Sequence, residues 1–258
     1  MTESNLIYAI IDTTRFYIHA LTQESTIKNW PDEYKEIRIN DQYLVDLVKN
    51  RNPKFPLKYN KTHYPALMGA IDILALKDLA KKVPDGGIIV ETGSAYGGSA
   101  YAMAEVISND TTLYCIDEGW KTPDHTVAVY LKEITNQYLQ LNNGVFNFTS
   151  SYDFAKNYLS RWPNVKLIQA SSPYEMQYWE TQIDLLFEDS SHANIQFRDN
   201  LEFWLKFIKP GGIISGHDYN DLRYPDIVTE TKILAEKLRQ PLNISYKSNI
   251  WWIQKPWQ

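Results

Sequence analysis

Val90-Glu91-Thr92-Gly93-Ser94-Ala95-Tyr96-Gly97-Gly98-Ser99-Ala100 is the stretch on which the fold turns. It continues the apolar run GIIV and hands over to YAMAEVI, a helical composition. A strand that ends in a glycine turn and passes straight into a helix opens a β-α unit. Glycines let the backbone reverse sharply and let a ligand approach the peptide plane, while the start of a helix favours negative groups. The same turn would also serve a fold that binds nothing there. Its spacing is G-x-x-x-G, so the G-x-G-x-x-G dinucleotide fingerprint is absent and a nucleotide-dependent oxidoreductase is disfavoured.

Downstream, the short apolar runs TLYCID, VKLIQA, IDLLFED and GGIISGHD alternate with amphipathic stretches. This rhythm predicts repeated β-α units around a mostly parallel sheet buried on both faces. At the C-terminus, PLNISYKSNIWWIQKPWQ reads as two short strands joined at Lys247-Ser248-Asn249, an antiparallel hairpin on the sheet edge. Upstream, residues 1–85 read as a helical and irregular extension, with apolar spacing at Leu67, Ile71, Leu74 and Leu79. The Pro-containing basic segment NRNPKFPLKYNKTHYP reads as a loop within it. The catalytic unit is expected over 86–258, with a cap inserted at about 119–150, where Val129, Leu131, Ile134, Tyr138 and Leu141 have helical spacing. The extension and the cap are expected to form a lid.

Composition narrows the function. The 258 residues are 44% hydrophobic and 22% charged, an ordinary globular balance. A net charge of −5 gives little attraction to nucleic acid or an anionic membrane. No run reaches the ~18 apolar residues of a membrane span, and the polar start MTESN is unlike a signal peptide, so a cytoplasmic address is expected. The single cysteine, Cys115, excludes an intrachain disulfide and a Cys-rich zinc site. A nucleic-acid or membrane partner is not expected, and self-association is left open.

Two further groups of residues carry chemistry. The second strand ends in Asp117, beside the glycine turn, where a carboxylate can accept both hydroxyls of a ribose or simply cap a turn. The fourth strand closes on Asp189-Ser190-Ser191-His192 and the fifth, after Pro210-Gly211-Gly212, on His217-Asp218. Parallel neighbours lie ~5 Å apart, so these two ends can converge on one sheet edge. Asp189 could equally cap the next helix and His217 bond the chain. His192 and His217 are competing candidates for a general base, since histidine titrates near neutral pH.

Taken in order, VETGSAYGGSA, CIDEGW, VKLIQASS, IDLLFEDSSH, KPGGIISGHDY and WWIQKP resemble the class I S-adenosylmethionine-dependent methyltransferases, over Gly86 to about Pro256. More specifically they resemble methyltransferase family 24, a group of small-molecule enzymes. The resemblance implies a Rossmann-like sheet and S-adenosylmethionine as cofactor. It implies that Glu91 orients the methionine amine and that the backbone from Gly93 to Gly98, with Ser94, Tyr96 and Gly97 in it, passes beneath the cofactor. Ser99 would reach the methionine carboxylate, Asp117 would hold the ribose with Glu118 nearby, and Ala170 and Ser171 would border the adenine. It also implies a divalent metal, magnesium or manganese, on Asp189, His217 and Asp218, as in catechol-type O-methyltransferases, which carry a basic residue where His192 falls. Here His217 replaces a carboxylate and Ser191 replaces a frequent acid, so a softer ion is also compatible with the ligand set. The reaction expected is O-methylation of a small-molecule hydroxyl. An aminopropyltransferase or a non-catalytic scaffold on the same fold are the alternatives.

Overall fold

The computed structural model describes residues 57–59, 62–64, 66, 68–121, 150–245 and 248–257. Most of the N-terminal extension and of the cap, including Val129, Leu131, Ile134, Tyr138 and Leu141, lies outside them. The chain forms two compact units, Met1–His63 and Tyr64–Gln258. The Pro-containing segment read as a loop holds a two-stranded ribbon, β1 (Leu57–Tyr59) and β2 (Thr62–Tyr64). Three-residue strands leave too little pattern to be seen in sequence.

The second unit is built on seven strands. Helix α1 (Ala70–Ala80) precedes β3 (Ile88–Thr92), α2 (Gly98–Ala104), β4 (Thr112–Ile116) and a 3-10 turn at Gly119–Lys121. Then follow α3 (Ser151–Tyr158), β5 (Val165–Ile168), β6 (Ile183–Glu188), α4 (Gln196–Leu205) and β7 (Ile208–Gly216). The chain ends with α5 (Pro225–Leu238), β8 (Asn243–Ile244) and β9 (Trp251–Gln254). Strand order is β5-β4-β3-β6-β7-β9-β8. The first five are parallel, while β9 runs antiparallel to both β7 and β8, the hairpin expected at the edge.

The chain starts at β3 in the middle, winds outward to β5, then returns to β6 on the other side of β3. This reversal is the topological switch point, beside which open α/β sheets bind ligands. The registers align Val90 with Leu186 and Leu186 with Ile214 in one buried row, and Ile89 with Leu185 and Ile213 in the opposite row. Both faces are therefore apolar, as their uninterrupted sequence runs anticipated. The first row packs with Phe197, Leu201 and Trp204 of α4 and with Ile227 and Leu234 of α5.

Helix ends follow local chemistry. Ser150 caps α3 by accepting from Asp153 N at 3.1 Å, and Pro225 opens α5 at its first turn. Pro210-Gly211-Gly212, read as a turn before the fifth strand, lies inside β7. Gly211 has φ +76°, and the β6–β7 register shifts there, from Ile183 opposite Ile208 to Leu185 opposite Ile213. The turn residues form a bulge that keeps the strand continuous. Among the described residues, no helix is long and apolar enough to cross a membrane.

Candidate active site

The glycine turn after β3 is held from three sides. Gly93 has φ +85°, and a Cβ there would sit 2.5 Å from the Asp189 carbonyl carbon and 2.6 Å from Ser190 Cα. Glycine is thus required because the ends of β3 and β6 touch through their backbones. Ala95 takes φ 45°, and its amide donates to Asp117 Oδ2 at 2.7 Å. Asp117 Oδ1 accepts from Gly119 N, also at 2.7 Å, and Trp120 Nε1 donates to Ala95 O at 2.6 Å. Asp117 therefore clamps the turn to the 3-10 element, the capping role open to it in sequence. Burial pushes its carboxyl up, partly offset by the two amides.

Beside this turn lies a shallow, open cleft lined by Gly93, Ile116, Asp117, Glu118, Ala170, Ser172, Ser190 and Gln196. Four residues expected to touch the cofactor, Gly93, Asp117, Glu118 and Ala170, meet on its wall. Ser171 is absent from that lining and donates its amide to Glu175 Oε2 at 2.6 Å, while Ser172 takes the wall position. Glu91, Ser94, Tyr96, Gly97 and Ser99 are buried and do not line it. Ser94 Oγ donates to Glu91 Oε2 at 2.5 Å, and Tyr96 packs edge-on against Phe154. Glu91 is sealed from solvent and its Oε1 has no hydrogen-bond partner among the described residues. Burial pushes its carboxyl up, with the Ser94 hydroxyl opposing. An orphaned carboxylate oxygen below the turn, and the exposed Glu118 carboxylate on the cleft wall, suit a ligand that carries positive charge and ribose hydroxyls.

The ends of β6 and β7 bring the second group together. His192 Nε2 lies 2.9 Å from Asp218 Oδ2, and His217 Nδ1 lies 3.0 Å from Asp218 Oδ1. Asp189 Oδ1 is 3.9 Å from His192 Nε2 and 3.8 Å from His217 Nδ1, beyond hydrogen-bond reach. Desolvation pushes the Asp189 carboxyl up to about 8, with His217 opposing and Asp218 reinforcing the shift. Asp218 goes the other way: burial raises it, but the bonds from His192 and His217 hold it below the ordinary carboxyl range. Burial lowers the two imidazoles, yet the Asp218 bond and the surrounding carboxylates win, leaving His192 raised and His217 well above its usual value. His192 also stacks on Tyr224 with ring centroids 4.3 Å apart.

Among the described residues, the group whose donor atoms all lie within 4.8 Å of one another is Asp189, His192 and Asp218. Two carboxylates and one imidazole fit a divalent cation, and Asp189, which among the described residues lies 3.8–3.9 Å from its histidine neighbours, is the member that would gain most from one. His217, expected as a ligand, turns Nδ1 to Asp218 and Nε2 to Asp72 Oδ2 at 3.3 Å, while His192 enters the group.

Two buried acids next to the glycine turn and the β7 end, Glu188 and Asp72, escaped the sequence reading. Glu188, at the end of β6, accepts from Thr92 Oγ1, from Ser190 Oγ at 2.7 Å and from Ser191 N at 3.2 Å, so it shapes the loop that carries Ser190 into the cleft. Asp72, in α1, meets His217 from the opposite side. A signal for Asp72 was present: it shares the i, i+4, i+7 stripe of Leu76 and Leu79, where a carboxylate is out of place.

A parallel sheet in this order, closed by an antiparallel strand and holding a cleft at the glycine turn, defines the class I S-adenosylmethionine-dependent methyltransferase fold. Residues 90–219, just over half of the chain, match the Methyltransf_24 family, a methyltransferase domain, and the chain belongs to that family. Among solved structures, it resembles the O-methyltransferase NovP at 15% identity and TM-score 0.51, covering 77% of this chain and 84% of that one. It also resembles an O-methyltransferase from Bacillus cereus in complex with SAH, at 16% identity and TM-score 0.50, covering 92% and 97%. A precorrin-6y C5,15-methyltransferase from Geobacter metallireducens gives 10% identity and TM-score 0.51, covering 78% and 96%. Comparison with curated proteins gives no match.

Proposed function

We propose that the protein transfers the methyl group of S-adenosylmethionine to a hydroxyl oxygen of a small molecule. The observation that carries this reading is the Asp218–His192 pair, 2.9 Å apart, which joins the loop after β7 to the loop after β6, whose first residue, Asp189, abuts Gly93 of the cofactor turn. The solved O-methyltransferases, one of them with SAH, support the same choice of donor and of acceptor atom. The net charge of −5 speaks against an RNA acceptor.

In this reading the methionine end of the cofactor lies over the turn above Glu91, and its ribose faces Asp117 and Glu118. The acceptor oxygen attacks the methyl carbon in line, an O–CH3 bond forms as the S–CH3 bond breaks, and S-adenosylhomocysteine leaves. Asp218 accepts a hydrogen bond from the Nε2–H of His192, which fixes the ring tautomer and leaves Nδ1 as the atom that takes the hydroxyl proton. Alignment supplies most of the acceleration. A magnesium or manganese ion, where bound, would be held by Asp189, His192 and Asp218, and would supply charge that lowers the pKa of the acceptor hydroxyl.

Calorimetric titration with S-adenosylmethionine, followed by transfer of its labelled methyl group to a panel of phenols, sugars and polyols, tests the proposal. Micromolar binding and a methylated oxygen product are expected. Binding without product from any acceptor would favour the scaffold reading, and no binding would overturn the assignment. With a productive acceptor, His192→Ala should lose ~10²- to 10⁴-fold in single-turnover rate while keeping cofactor affinity. The acidic limb of the wild-type profile should lie above pH 6.5, because the raised His192 must lose its proton to act as a base. Loss of turnover in chelator, restored by manganese, would instead give His192 to the metal.

A further inference from the structure

We infer that Asp72 is a positioning residue of the methyl-transfer site, acting through His217 on Asp218 and His192; this rests on the proposed function above. Asp72 lies in α1, outside the segment 90–219 that matches the family. Its carboxylate is buried, and among the described residues it meets Gly69 N, Ser248 Oγ, Asn249 N and His217 Nε2. Oδ1 accepts from Ser248 Oγ at 2.7 Å and from Asn249 N at 2.8 Å, and Oδ2 accepts from Gly69 N at 2.9 Å. Those three bonds fix the carboxylate rigidly. Its remaining neighbour is His217 Nε2 at 3.3 Å, in ion-pair range but off the line of a full hydrogen bond.

From Asp72 an alternating series runs outward. His217 is 5% exposed and is met at both ring nitrogens, by Asp72 on one side and by Asp218 on the other. An imidazole engaged at both nitrogens cannot rotate without losing both contacts. Asp218 in turn uses one oxygen for His217 and the other for His192. It also takes φ +60°, a left-handed backbone that non-glycine residues occupy when their surroundings over-determine it. Two imidazoles, one on each oxygen, are what over-determines it here. Further bonds brace the same corner: Tyr219 N donates to Asn249 O at 3.1 Å, and Asn220 Nδ2 to Ser248 O at 3.0 Å. The turn of the C-terminal hairpin, α1 and the end of β7 thus meet on one carboxylate. Groups that orient a reacting or ligating side chain in this way govern its efficiency without touching substrate.

The test compares wild type with Asp72→Asn, which keeps the size of the side chain and removes the charge facing His217. Lys209→Met serves as a control, because it breaks the 2.7 Å pair with Asp184 at the start of the strands and costs stability far from the site. At one fixed pH, ¹⁵N-histidine spectra should show the ring signals of both His217 and His192 displaced in Asp72→Asn and unchanged in Lys209→Met. Affinity for S-adenosylmethionine should stay within about twofold, while the single-turnover rate with a productive acceptor should fall ~10- to 100-fold. Asp72→Ser is read in the same way if Asp72→Asn does not fold. Unmoved His192 signals in the folded variant, or a rate loss no larger than that of the control, would overturn the proposal. The spectra need no acceptor, so absence of turnover would count against the methyltransferase reading and not against the Asp72 relay.

Discussion

Gly93→Ala tests the claim that the cofactor turn and the β6 loop touch through backbone. An added Cβ would overlap the Asp189 carbonyl and sit 2.6 Å from Ser190 Cα, where carbon atoms ordinarily approach to ~3.5–4.0 Å. Neither neighbour is a side chain that can swing away. The left-handed φ of +85° adds its own penalty, ~1–2 kcal/mol for alanine. Overpacking of this kind costs about 1–3 kcal/mol more. Gly86→Ala provides the internal standard: its φ is +74°, but no atom lies within 4 Å of the added Cβ, so only the backbone penalty remains. At ~2–4 °C per kcal/mol for a chain of this size, Gly93→Ala should melt about 2–12 °C below Gly86→Ala. Differential scanning fluorimetry with and without S-adenosylmethionine reads this directly, and the ligand should raise the midpoint of Gly86→Ala more than that of Gly93→Ala. If the two variants melt within about 1 °C of each other, the close approach of the β3 and β6 ends is wrong.

Two further outcomes follow from particular contacts. Asp117→Ala removes the acceptor for the Ala95 and Gly119 amides together with the proposed ribose partner, so affinity for S-adenosylmethionine should drop ~5- to more than 100-fold by calorimetry. If Glu118→Ala weakens binding and Asp117→Asn does not, the ribose contact belongs to Glu118. Arg198 holds the Glu230 carboxyl below its usual range through bonds of 3.0 and 2.6 Å. A depressed acid stabilises above its unfolded pKa, about 4.5, and that increment fades as pH falls through the folded value. The melting-point gap between wild type and Arg198→Leu should therefore be steady near neutral pH and close in acid; a gap that widens in acid would refute the pairing.

The sheet was legible because strands buried on both faces write themselves as unbroken apolar runs, and Gly93 because a left-handed turn admits few other residues. The meeting of Asp189 and His192 with His217 and Asp218 was legible from strand adjacency alone. Which of them pair was not, since that depends on side-chain directions that only packing fixes, and packing turns His217 toward Asp72 and His192 toward Asp218. Asp72 and Ser248 are bonded across 176 positions of sequence, a distance over which no local pattern operates. Glu188 was hidden differently. It follows an apolar run as a solvated strand end would, yet its register opposite Thr92 aims it into the interior, where burial raises its carboxyl.

The reversal of strand order at β3 splits the molecule along a seam. On the proposed assignment, the loops after β3, β4 and β5 serve the methyl donor, and those after β6 and β7 serve the acceptor. The two sets leave the sheet on opposite sides of the seam and meet at several crossings: Gly93 touches Asp189 and Ser190, Gln196 Nε2 donates to Ser172 O at 3.3 Å, and Ser172 Oγ donates to Asn200 Oδ1 at 2.6 Å. A lineage can therefore rebuild its acceptor half by insertion or exchange while the donor half stays fixed, provided that these crossings, the Gly93 glycine first among them, are kept. Chimaeras cut between β5 and β6 are the laboratory form of that history, and this chain offers itself as either parent.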